Sequence, residues 1–368
     1  MDLIAFEKNI TSTGFELEFK VGCLLKDKGW SFISSRYYVD DVEQSVREID
    51  ILAYRHSKLE SVEVFTGLLI SCKKSDDRIW ALLTRDINIK DPNTNWFPYH
   101  GYSNHVGLQY QTNLPQWEET YKDKCRKHGS KIITTPGVDI FAFQEMDKKN
   151  GRAQNDKAIF SSISSLMKAQ AYELEFLTKR LDKKKKTIYN LNLLSVLAGD
   201  IVKIHFSPNL SPKAKKVDSE TYVSKYILNN QQTTSRICFT TESSLPEILD
   251  NYNALHDINC KVFAEELADF YKDAIEVGQK NILLKDDFRS ELYWGINRIL
   301  FSNQLPEIEK EELDVWSGGR IVYIEIGDDE SIADFLNNHA SAKQIAKSVL
   351  QSVFKYNGEL AFTVSIPF

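Results

Sequence analysis

The chain has 368 residues, 42% hydrophobic and 27% charged, a profile of ordinary globular proteins that leaves no room for a disordered class. One hydrophobic core rarely grows past roughly 250–300 residues, so two domains are expected. The formal net charge of −6 argues at first against a nucleic-acid partner. It is unevenly spread, however: Lys261–Phe368 carries 11 Lys+Arg against 19 Asp+Glu, and Met1–Cys260 carries 35 against 33. A near-neutral first part can still grip phosphates through local basic clusters.

In chain order, Gly14–Gly29 reads as an amphipathic helix, with Phe15, Phe19 and Leu24–Leu25 near the 3.6 period and Gly29 as its stop. Three β-like runs follow: Trp30–Val39, Arg47–Tyr54 with one wet face, and Val64–Cys72, whose apolar part Leu68–Cys72 suits a strand buried on both faces. Asp91–Trp117 is rich in Pro, Asn, Gly and aromatics without a period and is expected to be a long loop. Val138–Gln144 reads as a strand and Asn155–Lys183 as a helix. Leu191–Phe206 and Thr221–Leu228 are strand candidates, and Ser235–Thr240 with Leu245–Ala254 is a strand–helix pair. This alternation predicts a mixed α/β domain over residues 1–258. Residues 259–368 predict a smaller acidic α+β domain: helices at Val262–Val277, Phe288–Phe301 and Ser331–Phe354, strands at Gly319–Ile326 and Glu359–Ile366.

No apolar run reaches the ~18 residues of a membrane helix, and Met1–Ile10 lacks a signal-peptide layout. A cytoplasmic protein with no membrane partner is expected. Cys23, Cys72, Cys125, Cys238 and Cys260 are odd in number and scattered, so neither a disulfide framework nor a structural zinc site is expected.

Hydrolysing a phosphodiester requires an activated water and neutralisation of charge on the phosphoryl and leaving oxygens. Carboxylate-held divalent metals and a nearby lysine supply both. Magnesium favours oxygen ligands and needs only one or two protein carboxylates. That kit is present in order: Glu18 on the first helix, Asp50 within E-I-D-I-L, and Lys73 at the end of L-L-I-S-C-K-K. A lysine ending an apolar strand either snorkels to the surface or faces an acidic site, and Asp50 on the preceding strand favours the second.

These segments resemble the PD-(D/E)xK restriction-endonuclease-like superfamily, in particular its Mrr-like branch. L-E-F-K-V-G-C-L-L-K-D-K-G at Leu17–Gly29 is similar to that branch's acid-bearing helix, E-I-D-I-L-A-Y at Glu48–Tyr54 to its metal-binding Asp strand, and I-S-C-K at Ile70–Lys73 to its V-E-C-K strand. Phe141–Gln144, the helix through Lys168–Glu173 and the strands to Thr240 follow more loosely. The resemblance spans roughly residues 12–255, with specific motifs in the first 75. It implies a mixed sheet flanked by helices and a Mg²⁺- or Mn²⁺-dependent endodeoxyribonuclease of restriction, phage defence or repair. In that scheme Asp50 and the Cys72 backbone carbonyl hold one metal, Glu18 holds or orients a second, and Lys73 positions the attacking water. The chain departs from the pattern at Ser71, where Asp or Glu is usual and a hydroxyl is a poorer ligand. Glu48 on the Asp50 strand could supply the missing charge, and Lys74 could touch phosphate. The rival expectation is a nuclease-fold DNA-binding or scaffold subunit that has lost cleavage, meeting protein partners or itself through the acidic domain.

Other features carry a structural and a functional reading side by side. Lys183–Lys186 can complement a helix dipole or contact phosphate, and Lys213–Lys216 is similarly ambiguous. Trp80, Trp96, Phe97, Tyr99, Tyr102 and Tyr110 suit loop packing better than base stacking. His100, His105 and the Cys125/His128 pair are more simply structural than metal-ligating. Glu307–Asp314 and Asp328–Glu330 lack the glycine and alternating oxygens of a calcium loop and read as solvated turns.

Overall fold

The computed structural model describes residues 3–10, 13–40, 43–182 and 184–365. Contacts gather the chain into two units. The first takes the described residues up to His105 and those from Thr112 to Phe263; the second takes Val106–Gln111 and the described residues from Ala264 onward. The expected divide at 258/259 compares with an observed one five residues later.

The first unit begins with helices α1 (Leu3–Ile10) and α2 (Phe15–Asp27), then strands β1 (Ser31–Val39), β2 (Val46–Leu59), β3 (Val62–Arg85) and β4 (Gly101–Ser103). Helix α3 (Val106–Thr112), most of which belongs to the second unit, precedes α4 (Trp117–Lys127), β5 (Asp139–Asp147), α5 (Lys157–Arg180), β6 (Thr187–His205), β7 (Lys213–Val217), β8 (Ser219–Leu228), β9 (Gln231–Thr241) and α6 (Leu245–Tyr271). The strands make a mixed sheet in the order β1-β2-β3-β6-β9-β8, with β5 also on β3 and β4 and β7 also on β6. β3, β6 and β9 run parallel, while β1, β2, β5 and β8 are antiparallel to their neighbours.

Why these segments fold so is visible in the pairing. Leu52 sits opposite Leu69 and Ile51 opposite Ile70. Successive side chains leave opposite faces of a strand, so Leu52 and Leu69 join Ile163, Leu166 and Met167 of α5 in one core, while Ile51 and Ile70 are buried on the other face. On α2, Leu17, Val21 and Leu25 fall one turn apart and are buried, which seats that helix against β1, β2 and β3.

Several expectations need correction. The stretch expected as a loop, Asp91–Trp117, contains β4 and α3; β4 pairs with the Ile188–Asn190 part of β6, so its backbone is satisfied by a partner far away in sequence. β3 runs on to Arg85 instead of ending near Cys72, bulging between Lys74 and Ile79 rather than turning. The helices expected at Leu245–Ala254 and from Val262 are one helix, because Leu255, Ile258 and Val262 keep the buried stripe continuous. Helix α1, α4, β7 and the strand at Leu313–Ser317 were not anticipated.

The second unit adds α7 (Gly278–Ser302), β10 (Leu313–Ser317), β11 (Ile321–Ile326), α8 (Glu330–Asn338), α9 (Ala340–Phe354) and β12 (Glu359–Thr363). β11 pairs antiparallel with β10 and parallel with β12. Phe288 of α7 and Phe354 of α9 meet edge-on at the centre of its core, 5.7 Å apart. The single helix expected over Ser331–Phe354 is broken at His339, which is extended and caps α9 through Nδ1 to the Ala342 N–H. The expected end of the last strand, Ile366, lies outside the described residues, as does Lys183 of the four-lysine run. Among the described residues no helix is long and apolar enough to cross a membrane.

Candidate active site

Asp50 occupies a point where the sheet comes apart. The β2–β3 ladder runs from Leu59↔Val62 to Ile51↔Ile70 and stops. One further step would set Asp50 against Ser71. On the other side, β1 pairs Ser34 with Ile51 and Arg36 with Ile49 in one unshifted register, with no pair formed between Ser35, whose φ of 53° is left-handed, and Asp50. In place of a ladder bond, Asp50 Oδ2 accepts the Cys72 N–H at 2.6 Å. A residue in a strand presents its N–H and C=O to the same edge, so the Cys72 carbonyl also faces the gap that Asp50 fills.

Lys73 follows directly, opposite Leu197 of β6. Its ammonium is in electrostatic contact with Asp50 and Glu18, but no hydrogen bond or ion pair ties it down among the described residues. Gly199 lets β6 pass close by: a Cβ there would meet the Ser75 carbonyl at 2.8 Å. Glu18 projects from the first turn of α2, beside buried Leu17, and is itself half-buried. Its neighbours Glu16, Lys20 and Glu242 form a separate surface pair network, with Lys20 at 3.0 Å from Glu16 and 3.4 Å from Glu242.

The electrostatics bind these residues into one site. Burial raises the Asp50 carboxyl above its ordinary range and Glu48 adds to this, while Lys73, the Cys72 N–H and nearby Ser71 hold it down. Glu18 is raised by burial, then by the charges of Asp50 and Glu48, with Lys73 opposing. Burial, Asp50 and Glu18 push the Cys72 thiol well up, so its sulfur stays protonated and only its backbone can serve as a donor. Thus Glu18, Asp50, Cys72 and Lys73 are brought together. Glu48 is exposed at the rim and acts on the other two acids through its charge. Lys74 leans toward Asp76 and Glu16, at 3.8 and 4.0 Å.

Ser71 is 1% exposed and its Oγ has no well-formed hydrogen bond. It is near enough to ease the Asp50 carboxylate without satisfying itself. Among the described residues no three His, Cys, Asp or Glu side chains are grouped to hold a metal ion. The donor set present is two carboxylates, Asp50 and Glu18, whose ionisation is disfavoured by burial and by the charges of nearby acids, beside a backbone carbonyl. A divalent cation relieves that repulsion, and magnesium held mainly by water and phosphate needs no larger protein cage. The residues therefore fit magnesium or manganese, in an open rather than a closed site. An open depression of about 690 Å³ adjoins it, lined by Lys74, Ser75, Lys148, Gly199 and Ser243 among others. Lys148, paired with Asp200 at 2.6 Å, was not picked out in the sequence; nothing in M-D-K-K-N distinguishes it from its neighbours.

The other candidates lie elsewhere. The exposed Lys184–Lys186 precede β6, whose first residue, Thr187, lies ten residues before Leu197 and so roughly 33 Å from the level of Lys73. Lys213–Lys216 form most of β7, with Lys216 paired to Asp200 at 2.5 Å. His100 is held by the Thr234 carbonyl and Ser235 Oγ, with burial lowering its pKa, and His105 is buried. Cys125 is buried against Tyr121 with its thiol pushed up to about 12, which suits packing and not ligation. Trp96 and Trp117 are buried, and Tyr99 packs edge-on to Trp117. Compared with known protein families, curated proteins and solved structures, the chain has no match.

Proposed function

We propose that the first unit is a metal-dependent endodeoxyribonuclease of the PD-(D/E)xK type, with Glu18, Asp50 and Lys73 as its catalytic residues. The observation that carries this is the parting of β2 and β3 at Asp50, where an acid, a backbone carbonyl and an uncommitted lysine face one gap. Asp50, Glu18 and the Cys72 carbonyl would hold Mg²⁺ or Mn²⁺, which when bound supplies charge neutralisation at the scissile phosphate. Lys73 orients the attacking water and stabilises charge developing on the phosphoryl oxygens. Lys74 and Lys148 exchange their carboxylate partners, Asp76 and the partly buried Asp200, for DNA phosphates. A cytoplasmic role in restriction, phage defence or repair follows by analogy of fold alone, as does a protein-contact or self-association role for the acidic second unit.

The test is nicking of supercoiled plasmid with Mg²⁺ or Mn²⁺ beside a Lys73→Ala control. The wild type nicks and the variant loses about 100-fold or more; equal nicking by both removes Lys73 from the mechanism.

The orphaned Ser71 hydroxyl favours one second reading, a nuclease-fold DNA-binding or scaffold subunit whose cleavage was lost with the carboxylate. Ser71→Glu separates the two: an inert wild type that gains cutting with this change supports the second.

A further inference from the structure

A cavity of about 600 Å³ opens in the first unit between β6, β9, α6 and the segments around Tyr99 and Ile132. It is lined by none of Glu18, Asp50, Cys72 and Lys73, and it shares no lining residue with the depression beside them. Its size falls within the few-hundred to ~1,000 Å³ range of small-molecule sites. The walls are preformed. Arg236, half-buried, clamps both flanking segments by donating to the carbonyls of Trp96 at 2.8 Å, Ile132 at 3.1 Å and Thr134 at 2.8 Å.

The lining leaves specific groups uncommitted. Tyr252 lies on the wall and is 2% exposed. The Tyr99 hydroxyl is buried near Asn190 without a well-formed bond. The Asn251 amide makes no hydrogen bond among the described residues, and Lys131 and Lys215 are exposed without an acidic partner there. A buried polar group left unpaired costs roughly 1–3 kcal/mol, and a ligand with matching donors and acceptors recovers it.

We propose that this cavity binds a ligand of the mononucleotide class. Amides carry a donor and an acceptor side by side, the pattern that reads the edge of a nitrogen heterocycle. The two lysines take its phosphate. Exposed Glu247, also on the lining, is suited to accept from ribose hydroxyls. The site does not depend on the nuclease reading.

The experiment is calorimetric titration and thermal shift of the full chain with AMP, GMP, CMP and UMP at about 1 mM, beside their nucleosides and inorganic phosphate. At least one nucleotide binds and raises Tm. Its nucleoside binds roughly tenfold more weakly, and phosphate alone gives no shift. Asn251→Ala and Lys215→Ala each weaken binding by about fivefold or more with the unliganded Tm unchanged, and Lys73→Ala binds as the wild type does. Three results would overturn the proposal: no binding by any of the four nucleotides, undiminished binding in both cavity variants, or binding lost in Lys73→Ala.

Discussion

Two sets of acids in the first unit are treated in opposite ways. Glu173 on α5 is 3% exposed and takes Arg36 at 2.8 Å and Arg180 at 3.4 Å. Glu145 on β5 is 2% exposed and takes Arg78 at 2.9 Å and the Ala158 N–H at 3.0 Å. Asp50 and Glu18 are raised by burial and by neighbouring acids. Their lysine acts at a distance instead of closing an ion pair. The first pair is satisfied within the chain and fastens helix and strand to the sheet. The second is left under-compensated, which is the condition of acids that await a cation.

Mutations should therefore separate fold from function. The largest effect is expected at Glu173→Ala, which strands Arg36 beside α5 and costs about 3–5 kcal/mol of stability, read by urea denaturation. Lys73→Ala should leave the denaturation midpoint within about 0.5 kcal/mol of wild type while nicking falls as described. A Lys73→Ala protein as unstable as Glu173→Ala would erase the distinction.

Asp50→Asn should do the reverse of Glu173→Ala. Because the folded state raises the Asp50 carboxyl, ionisation opposes folding, and the metal-free protein loses stability as pH rises through that raised value. Asparagine keeps an oxygen for the Cys72 N–H and removes the charge. Its metal-free Tm at pH 7 should exceed wild type, with the gain vanishing below the ordinary carboxylate range, where Asp50 is protonated in both states. A Tm deficit at pH 7 would mean that Asp50 holds the fold together. The smallest effect is expected at Lys74→Ala, which should weaken DNA binding a few-fold and flatten its salt dependence by about one unit of slope.

What the sequence made legible follows the same divide. The motif segments could be read because their signals are local. The first helix has a helical period, although Phe15 and Phe19, taken as its apolar positions, are exposed while Leu17, Val21 and Leu25 are buried. Leu68–Cys72 is apolar but for Ser71, as a central strand allows. The Asp50–Cys72 bond was beyond reach, since it depends on where the β2–β3 ladder ends and on the pair missing between Asp50 and Ser35 of β1. The continuation of β3 through Ser75–Arg78 was hidden by a polar S-D-D-R run that mimics a turn, although the strand pairs with β6 on either side of it, at Lys74 and at Ile79. The break at His339 leaves no proline or glycine to mark it. The Tyr252 cavity draws its lining from segments as far apart as Pro98 and Tyr252, and no spacing rule gathers them.

The most direct measurement is calorimetric titration of Mn²⁺ into the wild type and Asp50→Asn at pH 7, both folded by circular dichroism. Saturable binding by the wild type, weakened about tenfold or more by the substitution, is what this arrangement of acids predicts. Equal binding by both proteins, or none by the wild type with plasmid DNA present, would contradict it.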